Sequence, residues 1–595
     1  VSIFDRYKNL LDYDGHVFRA FGLDDDTIVK VEKIGGIKRP TKSEPCWRVP
    51  ALPLHVQHLS AIKLTWTAQA AERGRYLIAE AADRVRLSKA TESSLDFQGF
   101  GLELHPYQKA GVEYMLRAKR VLLADEMGLG KTSQALALLH KGAAVYPALI
   151  ICPASLKYWW KQEGERCLPG KVFVVLDSKF KPLSIAMADV CIVNYDLLAA
   201  GWETPEKKNV NLTPLAEALM AHPFETIIFD EMHACKNGQA QRTKAVKKLA
   251  QGRTYRIGIT GTPVTNRPSE LAPLLAILDR LQDMGGYSYF MKRYCSSPKN
   301  KFNPNAGAHN LLELNERMRS SFYLRRTKKD VRLELPPFSR NIVPVPIDNR
   351  KEYQYAEDQL IAWVREKAEE KARNDDKFQQ AIKGLSEIER EAAIQEHAND
   401  KAARAMRAEA MIRIGALRDI AARGKLKAAL QWLDDFIESG EKIVVSAVHQ
   451  NIIEALRKRY PDAVCVTSDM SPQERQMSVS LFQSNPEIQM LIGAMGTSAG
   501  SSPIGTGHTL TAASNCLTLE LPWTDAHMRQ WEGRIYRMGQ DEPTMNHIIV
   551  GQETIEHDIL GLIDSKGLIC GQTTDGAAHE ESAPLLDILM AKLAA

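Results

Sequence analysis

The chain has 595 residues, of which 44% are hydrophobic and 25% charged, and 77 basic side chains stand against 73 acidic ones for a net charge of +4. That composition is ordinary for folded domains, excludes a collagen-like, mucin-like or wholly disordered chain, and allows about four domains' worth of material. Near-balanced charge excludes a polycationic nucleic-acid coat but not a local basic groove.

In chain order, residues 1–100 read as an N-terminal accessory domain. KRPTKSEPCWRVPALP (38–53) is broken by proline and does not suit a long helix, whereas AQAAERGRYLIAEAADRVRL does. LELHPYQKAGVEYMLRA (102–118) predicts an amphipathic helix after a turn. Short apolar runs then alternate with helical stretches: RVLLAD (120–125), ALIICP (148–153), KVFVVL (171–176), VCIVNY (190–195), TIIFDE (226–231) and RIGITGT (256–262). Such alternation predicts a parallel sheet covered on both faces, with ligand-binding residues at the carboxyl ends of the strands. Residues 351–410 hold 25 charged side chains in 60, and no proline occurs from 351 to 460, so a long charged helical insertion with solvated faces is expected. A second alternating series follows in KIVVSAV (442–448), DAVCVTS (462–468), IQMLIGA (488–494), CLTLELP (516–522) and MNHIIVG (545–551). The fold class is therefore α/β with two parallel-sheet lobes. The domains expected are 1–100, lobe one at 101–340, an insertion or linker at 341–425, lobe two at 426–570 and a tail at 571–595.

No run of about 18 apolar residues predicts a membrane span, and the charged start VSIFDRYKNLLDYDGH has no signal core. The nine cysteines are scattered without a CxxC pair, which reads as reduced thiols in the cytoplasm.

Four segments carry chemistry. ADEMGLGKT (124–132) joins a strand to a helix; Gly128 and Gly130 let backbone amides approach an anion, and the loop around Leu129 opens on a helix N-terminus. Lys131 suits the β/γ-phosphates and the Thr132 hydroxyl suits Mg²⁺, although Asp125 stands where the general phosphate-loop pattern has its first glycine. IIFDEMHACKN (227–237) ends a buried strand in two acids: Asp230 would hold Mg²⁺ and Glu231 would orient and deprotonate water. His233 would either link this site onward or simply pack. In GITGTPVTNRPSEL (258–271), Thr260 and Thr262 could bond Glu231 or a bound strand; a plain Gly-Thr turn is the alternative. In MRQWEGRIYRMGQ (528–540), Gln530, Arg534 and Arg537 fall at i, i+4 and i+7, so one helix face would present all three to transferring phosphate charge.

These blocks, in this order, resemble the Swi/Snf-related family of superfamily-two helicase-like ATPases. ADEMGLGKT is similar to that family's phosphate loop, and LHPYQKAGVEYM to its adenine-reading segment, which implies that Gln108 binds the base; His105 stands where Arg is usual. ICPASLKYWWKQE (151–163) and VNYDLL (193–198) resemble its nucleic-acid blocks, with Pro153, Ser155 and Trp159 matching. DEMH departs from DEAH only at Met232. LRRTKKDVRLELPP (324–337) resembles the linker between lobes, GKLKAALQWL (424–433) the helix entering lobe two, and QWEGRIYRMGQ the arginine block, with Tyr536 for the usual His. LPWTDAHMRQ (521–530) resembles a further block with Thr524 for Asn. The Gly-rich turn is less regular: in 496–513 the segment GTGHTLTAA is favoured, with 496–504 as an inserted loop. FMKRYC (290–295) and VSAVHQN (445–451) look like the fork-remodelling, annealing-helicase branch. CWRVP (46–50) is similar to a small DNA-binding module there; a plain accessory domain is the alternative.

The resemblance implies two RecA-like lobes, ATP and Mg²⁺ as cofactors, and DNA, duplex or forked, as partner. It implies a DNA-dependent ATPase that translocates along or remodels DNA. Candidate DNA-track residues are Lys157, Trp159, Asn194, Thr260 and Trp523. A strand-separating DNA or RNA helicase, and an ATP-switched clamp without transport, are the alternatives. The compartment implied is cytoplasmic, at the nucleoid if bacterial or phage, nuclear if eukaryotic.

Overall fold

The apolar runs between helices become strands of two parallel sheets. The computed structural model describes residues 9–34, 37–39, 46–199, 211–265, 267–296, 307–331, 335–359, 409–496 and 508–575, with scattered positions in 360–408 and Ile504. They form two compact units, Val1–Glu334 with Leu568–His579, and Leu335–Gly567 with Glu580–Ala595.

The first unit opens with a five-stranded sheet of β1 (Leu10–Tyr13), β2 (Val17–Phe21), β3 (Ile37–Arg39), β4 (Cys46–Pro50) and β5 (Thr65–Trp66), in the order β3-β4-β2-β1-β5. Leu11, Phe18, Trp47 and Val49 bury its inner face, at the alternate positions that a strand sends to one side. Helix Ala68–Ser88 follows, its first turn capped by Thr67, whose hydroxyl accepts from the Ala70 amide at 3.1 Å.

The main sheet contains β6 (Arg120–Leu123), β7 (Ala148–Cys152), β8 (Phe173–Val175), β9 (Val190–Asn194), β10 (Thr226–Asp230), β11 (Tyr255–Ile259) and β12 (Tyr323–Leu324). Every pairing is parallel, in the order β12-β6-β11-β10-β7-β9-β8. β7, β9, β10 and β11 are buried along their whole length, because helices cover both faces and leave no polar side. The order β6-β11-β10 sets three carboxyl ends side by side, which brings residues 124–132, 260–262 and 230–233 to one edge.

The second unit holds β13 (Phe338–Val345), β14 (Ile443–Ala447), β15 (Val464–Val466), β16 (Met490–Ala494), β17 (Asn515–Thr518) and β18 (Thr544–Gly551), parallel throughout in the order β13-β18-β17-β14-β16-β15.

Three expected boundaries shift. Lobe one does not run to 340: Phe338–Val345 pairs residue for residue with Thr544–Gly551, and the second unit begins at Leu335. Residues 409–425 are not part of a separate insertion. Helix Glu409–Ile437 buries Ile414, Leu417, Ile420 and Ala421 in the second unit's core, and Lys425 is fully buried on Glu556 at 2.6 and 2.8 Å. Of the expected tail, only residues 571–575 are described, and they belong to the first unit. Most of the charged stretch 360–408, the segment 497–507 apart from Ile504, and residues 576–595 lie outside the described residues. Among the described residues no helix is long and apolar enough to cross a membrane.

Candidate nucleotide site

The loop after β6 turns through left-handed backbone at Gly128 (φ 86°) and Gly130 (φ 65°). There a Cβ would cost about 1–2 kcal/mol, so glycine is the fitting residue. Helix Lys131–His140 begins directly after Gly130 and adds its partial positive charge. Three donors hold the Leu129 carbonyl away from this face: Tyr107 Oη at 3.3 Å, and Gln108 Nε2 and Gln134 Nε2 at 3.4 Å each. Leu129, expected to touch nucleotide, therefore has a buried side chain and anchors the loop through its carbonyl. Gln108 is 2% exposed, and its Oε1 also accepts from the His105 amide at 2.9 Å. Both ends of its side-chain amide are thus engaged within the helix start and the loop. The His105 and Tyr107 rings stack beside it at 5.6 Å and 14°.

Lys131 Nζ donates to the carbonyls of Asp125 at 2.7 Å and Glu126 at 3.1 Å. Burial pulls its pKa down to about 8, against the opposing pull of Glu231 and Asp125. A desolvated ammonium resting on neutral carbonyls is suited to receive an anion. The Thr132 side chain is half-buried at the helix start.

Asp125 resolves the departure from the general loop pattern. It is fully buried and accepts from Gln134 Nε2 at 2.9 Å and from Arg326 through its amide (2.9 Å), Nε (3.1 Å) and Nη2 (2.5 Å). Arg326 also donates to Gln134 Oε1 at 2.8 Å and to the Tyr107 carbonyl. The position that carries glycine elsewhere is here a carboxylate bolting the loop to the chain 201 residues on.

At the end of β10 the acids diverge. Asp230 is 6% exposed; its Oδ2 accepts from Trp160 Nε1 at 2.8 Å and its Oδ1 from the Glu231 amide at 3.0 Å. Burial, and then the Glu231 charge, push its pKa up to about 7. A buried aspartate followed by a half-buried glutamate offers hard oxygen ligands of the kind a divalent cation takes. Glu231 adopts φ 47° and ψ 50°, a left-handed conformation that costs a non-glycine residue about 1–3 kcal/mol and gathers at functional sites. Its Oε2 lies 3.2 Å from His233 Nδ1, which meets Thr260 Oγ1 at 3.1 Å. His233 Nδ1 thus lies between the Glu231 carboxylate and the Gly-Thr turn, where Thr260 bonds it and the Thr262 amide donates to Thr260 Oγ1 at 3.1 Å.

The expected nucleic-acid residues separate. Asn194 (7% exposed) and Thr260 (1%) are inside the first unit, because each ends or follows a fully covered strand. Lys157 and Trp159 are half-buried, and the Lys157 ammonium donates to the Leu176 carbonyl at 3.2 Å. Of the two adjacent tryptophans, Trp160 is the one turned fully inward, onto Asp230; Trp159 meets its ring edge-on at 6.0 Å. Spacing alone did not distinguish them. A buried donor on a metal-binding carboxylate fixes its orientation, and losing such a support typically costs 10–100-fold in metal affinity, an order-of-magnitude figure. Trp160→Phe is therefore expected to weaken Mn²⁺ binding, read by electron paramagnetic resonance with a non-hydrolysable nucleotide present, by roughly that factor. Unchanged Mn²⁺ affinity would remove Trp160 from the site.

In the second unit the arginine block differs from the helix-face expectation. Helix Asp525–Glu532 stops at Gly533, so Gln530 is helical while Arg534 and Arg537 lie in the turn beyond. The Arg534 amide still caps on the Trp531 carbonyl at 3.0 Å, while the side chains converge on another point, the carbonyl of His508, at 3.5 Å for Arg534 and 3.3 Å for Arg537. Burial, then the like charge of Arg534, pull the Arg537 guanidinium down to about 10. The described part of GTGHTLTAA thus backs the arginines: the Leu510 amide donates to Arg534 O at 2.9 Å, and Gln540 Nε2 to Ala513 O at 2.8 Å. Trp523 is half-buried under Arg418, whose guanidinium stands 4.1 Å from its ring centroid.

A glycine loop with lysine at a helix start, next to a buried Asp-Glu pair on one edge of a parallel sheet, defines a phosphate-loop nucleotide-binding protein. An SNF2-related domain model matches residues 107–399 and a helicase conserved C-terminal domain model matches 425–539; the chain belongs to the SNF2-related, helicase-like proteins. It is similar to the DNA annealing helicase and endonuclease ZRANB3 of Bos taurus, at 28% identity over 499 residues, covering 81% of this chain and 41% of that one. It is also similar to the SWI/SNF-related matrix-associated actin-dependent regulator of chromatin subfamily A-like protein 1 homolog of Caenorhabditis elegans, at 28% identity, covering 79% and 62%. The chain thus spans between two- and three-fifths of these curated relatives. A solved Sulfolobus solfataricus SWI2/SNF2 ATPase core in complex with dsDNA aligns at 23% identity with a TM-score of 0.36, covering 81% of this chain and 96% of that one.

Proposed function

We propose that the chain is a DNA-dependent ATPase that couples hydrolysis to movement along, or remodelling of, DNA. The observation that carries this is the meeting of Lys131 with Asp230 and Glu231 at one sheet edge, within a chain of the SNF2-related family. Gly128, Gly130, Lys131 and Thr132 would hold the phosphates, with His105 and Tyr107 beside Gln108 as the nearby ring pair for a base. Thr132 and Asp230 would hold Mg²⁺, which when bound neutralises charge on the transferring phosphate. Glu231, held by His233, orients and deprotonates water. Arg534 and Arg537 are the candidate cations for developing phosphate charge, and Gln530 stands one turn before them.

For the DNA track the accessible candidates are Lys157, Trp159 and Trp523, joined by Tyr158, which is 48% exposed. Phosphate and stacking contacts of this kind tolerate sequence, as a motor requires. ATPase rates measured with duplex, single-stranded and forked DNA and with RNA test the reading. Turnover is expected to rise most with duplex or forked DNA, and a rate that no DNA form raises overturns it. An annealing assay on complementary strands then asks whether the activity named for ZRANB3 extends to this chain.

A further inference from the structure

Beyond both matched family segments, three consecutive residues dock on Asn315, Tyr323 and Arg325. Asn315 Nδ2 donates to the carbonyls of Thr573 and Thr574 at 2.9 Å each, and Tyr323 Oη to that of Thr574 at 3.1 Å. Thr573 is fully buried by this docking. The next side chain, Asp575, accepts from Arg325 Nε at 2.7 Å. Arg325 is 5% exposed, and its Nη1 donates to the carbonyls of Ala124 at 2.7 Å and Gly261 at 3.3 Å.

Both carbonyls belong to the nucleotide site. Ala124 leads into the phosphate loop. Gly261 follows β11 and lies so near Lys131 that a Cβ there would stand 3.4 Å from Nζ. One guanidinium therefore ties the start of the loop to the turn against which Lys131 rests. Among the described residues Asp575 is its one ion-pair partner. Burial works against the charge of Arg325, and Asp575 leads the groups that offset it and hold its pKa above the usual range. The pair forms part of the wall of a cavity of about 920 Å³, together with Asn315, Arg319, Thr327 and Asp330.

We propose that Asp575 is a positioning residue for ATP hydrolysis, acting on the phosphate loop through Arg325, and that Thr573–Asp575 belongs to the ATPase machinery. The proposal rests on the ATPase reading above. A buried guanidinium stripped of its counter-ion is driven toward solvent, here the cavity. That movement gives up the Ala124 and Gly261 carbonyls and loosens the seat of Lys131. While it stays, its unscreened charge opposes that of Lys131.

The test uses the full chain carrying Asp575→Asn or Asp575→Glu, with affinity for a fluorescent non-hydrolysable ATP analogue and affinity for duplex DNA measured side by side. Asp575→Asn is expected to weaken the analogue about tenfold, with DNA affinity unchanged, and Asp575→Glu to restore most of it. Equal analogue affinity in wild type and Asp575→Asn overturns the proposal. Parallel loss of nucleotide and DNA affinity, which general destabilisation would produce, overturns it as well. Should Asp575→Asn not fold, Asn315→Ala removes the two bonds to Thr573 and Thr574 and so loosens the seat of Asp575 against Arg325, and the same comparison applies. A wild-type chain that hydrolyses no ATP would refute the ATPase reading instead, a result distinct from any of these.

Discussion

Glu231→Gln is expected to bind ATP about as tightly as the native chain and to hydrolyse it roughly 10²–10⁴-fold more slowly, the usual worth of a positioned general base. The amide keeps the size and reach of the carboxylate but cannot take a proton from water. It can still meet His233, which lies 3.2 Å from Oε2, so the link to Thr260 survives. The left-handed backbone at 231 is a second reason to place chemistry there: φ 47° is conformational strain that a turn of purely structural purpose would relieve with glycine. Single-turnover hydrolysis and nucleotide affinity measured on the same preparation check this. A variant that loses nucleotide binding in step with turnover would make Glu231 a structural residue.

Asp125→Gly restores the general phosphate-loop pattern and is nonetheless expected to destabilise the first unit by about 3–5 kcal/mol. Asp125 and Arg326 are 0% and 1% exposed, and the pair is joined through Arg326 Nε and Nη2. Taking away the carboxylate leaves a guanidinium buried among Tyr107, Gln134 and the loop, with its remaining acceptors neutral. Replacing both partners costs less than replacing one, because no orphaned charge remains. Adding Arg326→Met to Asp125→Gly should therefore recover part of the loss, and the thermal unfolding midpoints of the single and double variants measure the coupling. A single variant as stable as the native chain would refute this account of the loop.

The core strands could be read from the chain because their signal is local. β7, β9, β10 and β11 are largely apolar runs between helical stretches; the ends of the first three fall within one residue of those expected, and β11 stops three residues short of its expected end. The phosphate loop and the acid pair were legible for the same reason, since strand, turn and helix lie within a few residues of one another. The arginine turn was less so. Spacing of i, i+4 and i+7 implies one helix face only if the helix persists, and this one ends at Glu532 before Gly533. What brings Arg534 and Arg537 together is the carbonyl of His508, a contact that periodicity does not encode. Asn194 and Thr260 sit in motif blocks, yet burial at the strand ends takes them off the surface.

By itself the sequence determined the α/β class and the two parallel sheets, and it placed Lys131, Asp230 and Glu231 just beyond two of the strands, because each is written in adjacent residues. The tertiary structure alone decided which tryptophan meets Asp230, what Asp125 bonds where other loops carry glycine, and that Asp575 pairs with Arg325. Those choices depend on partners as far apart as Asp125 and Arg326, or Arg325 and Asp575. A buried charge or indole N–H must find its complement wherever the packed chain presents one.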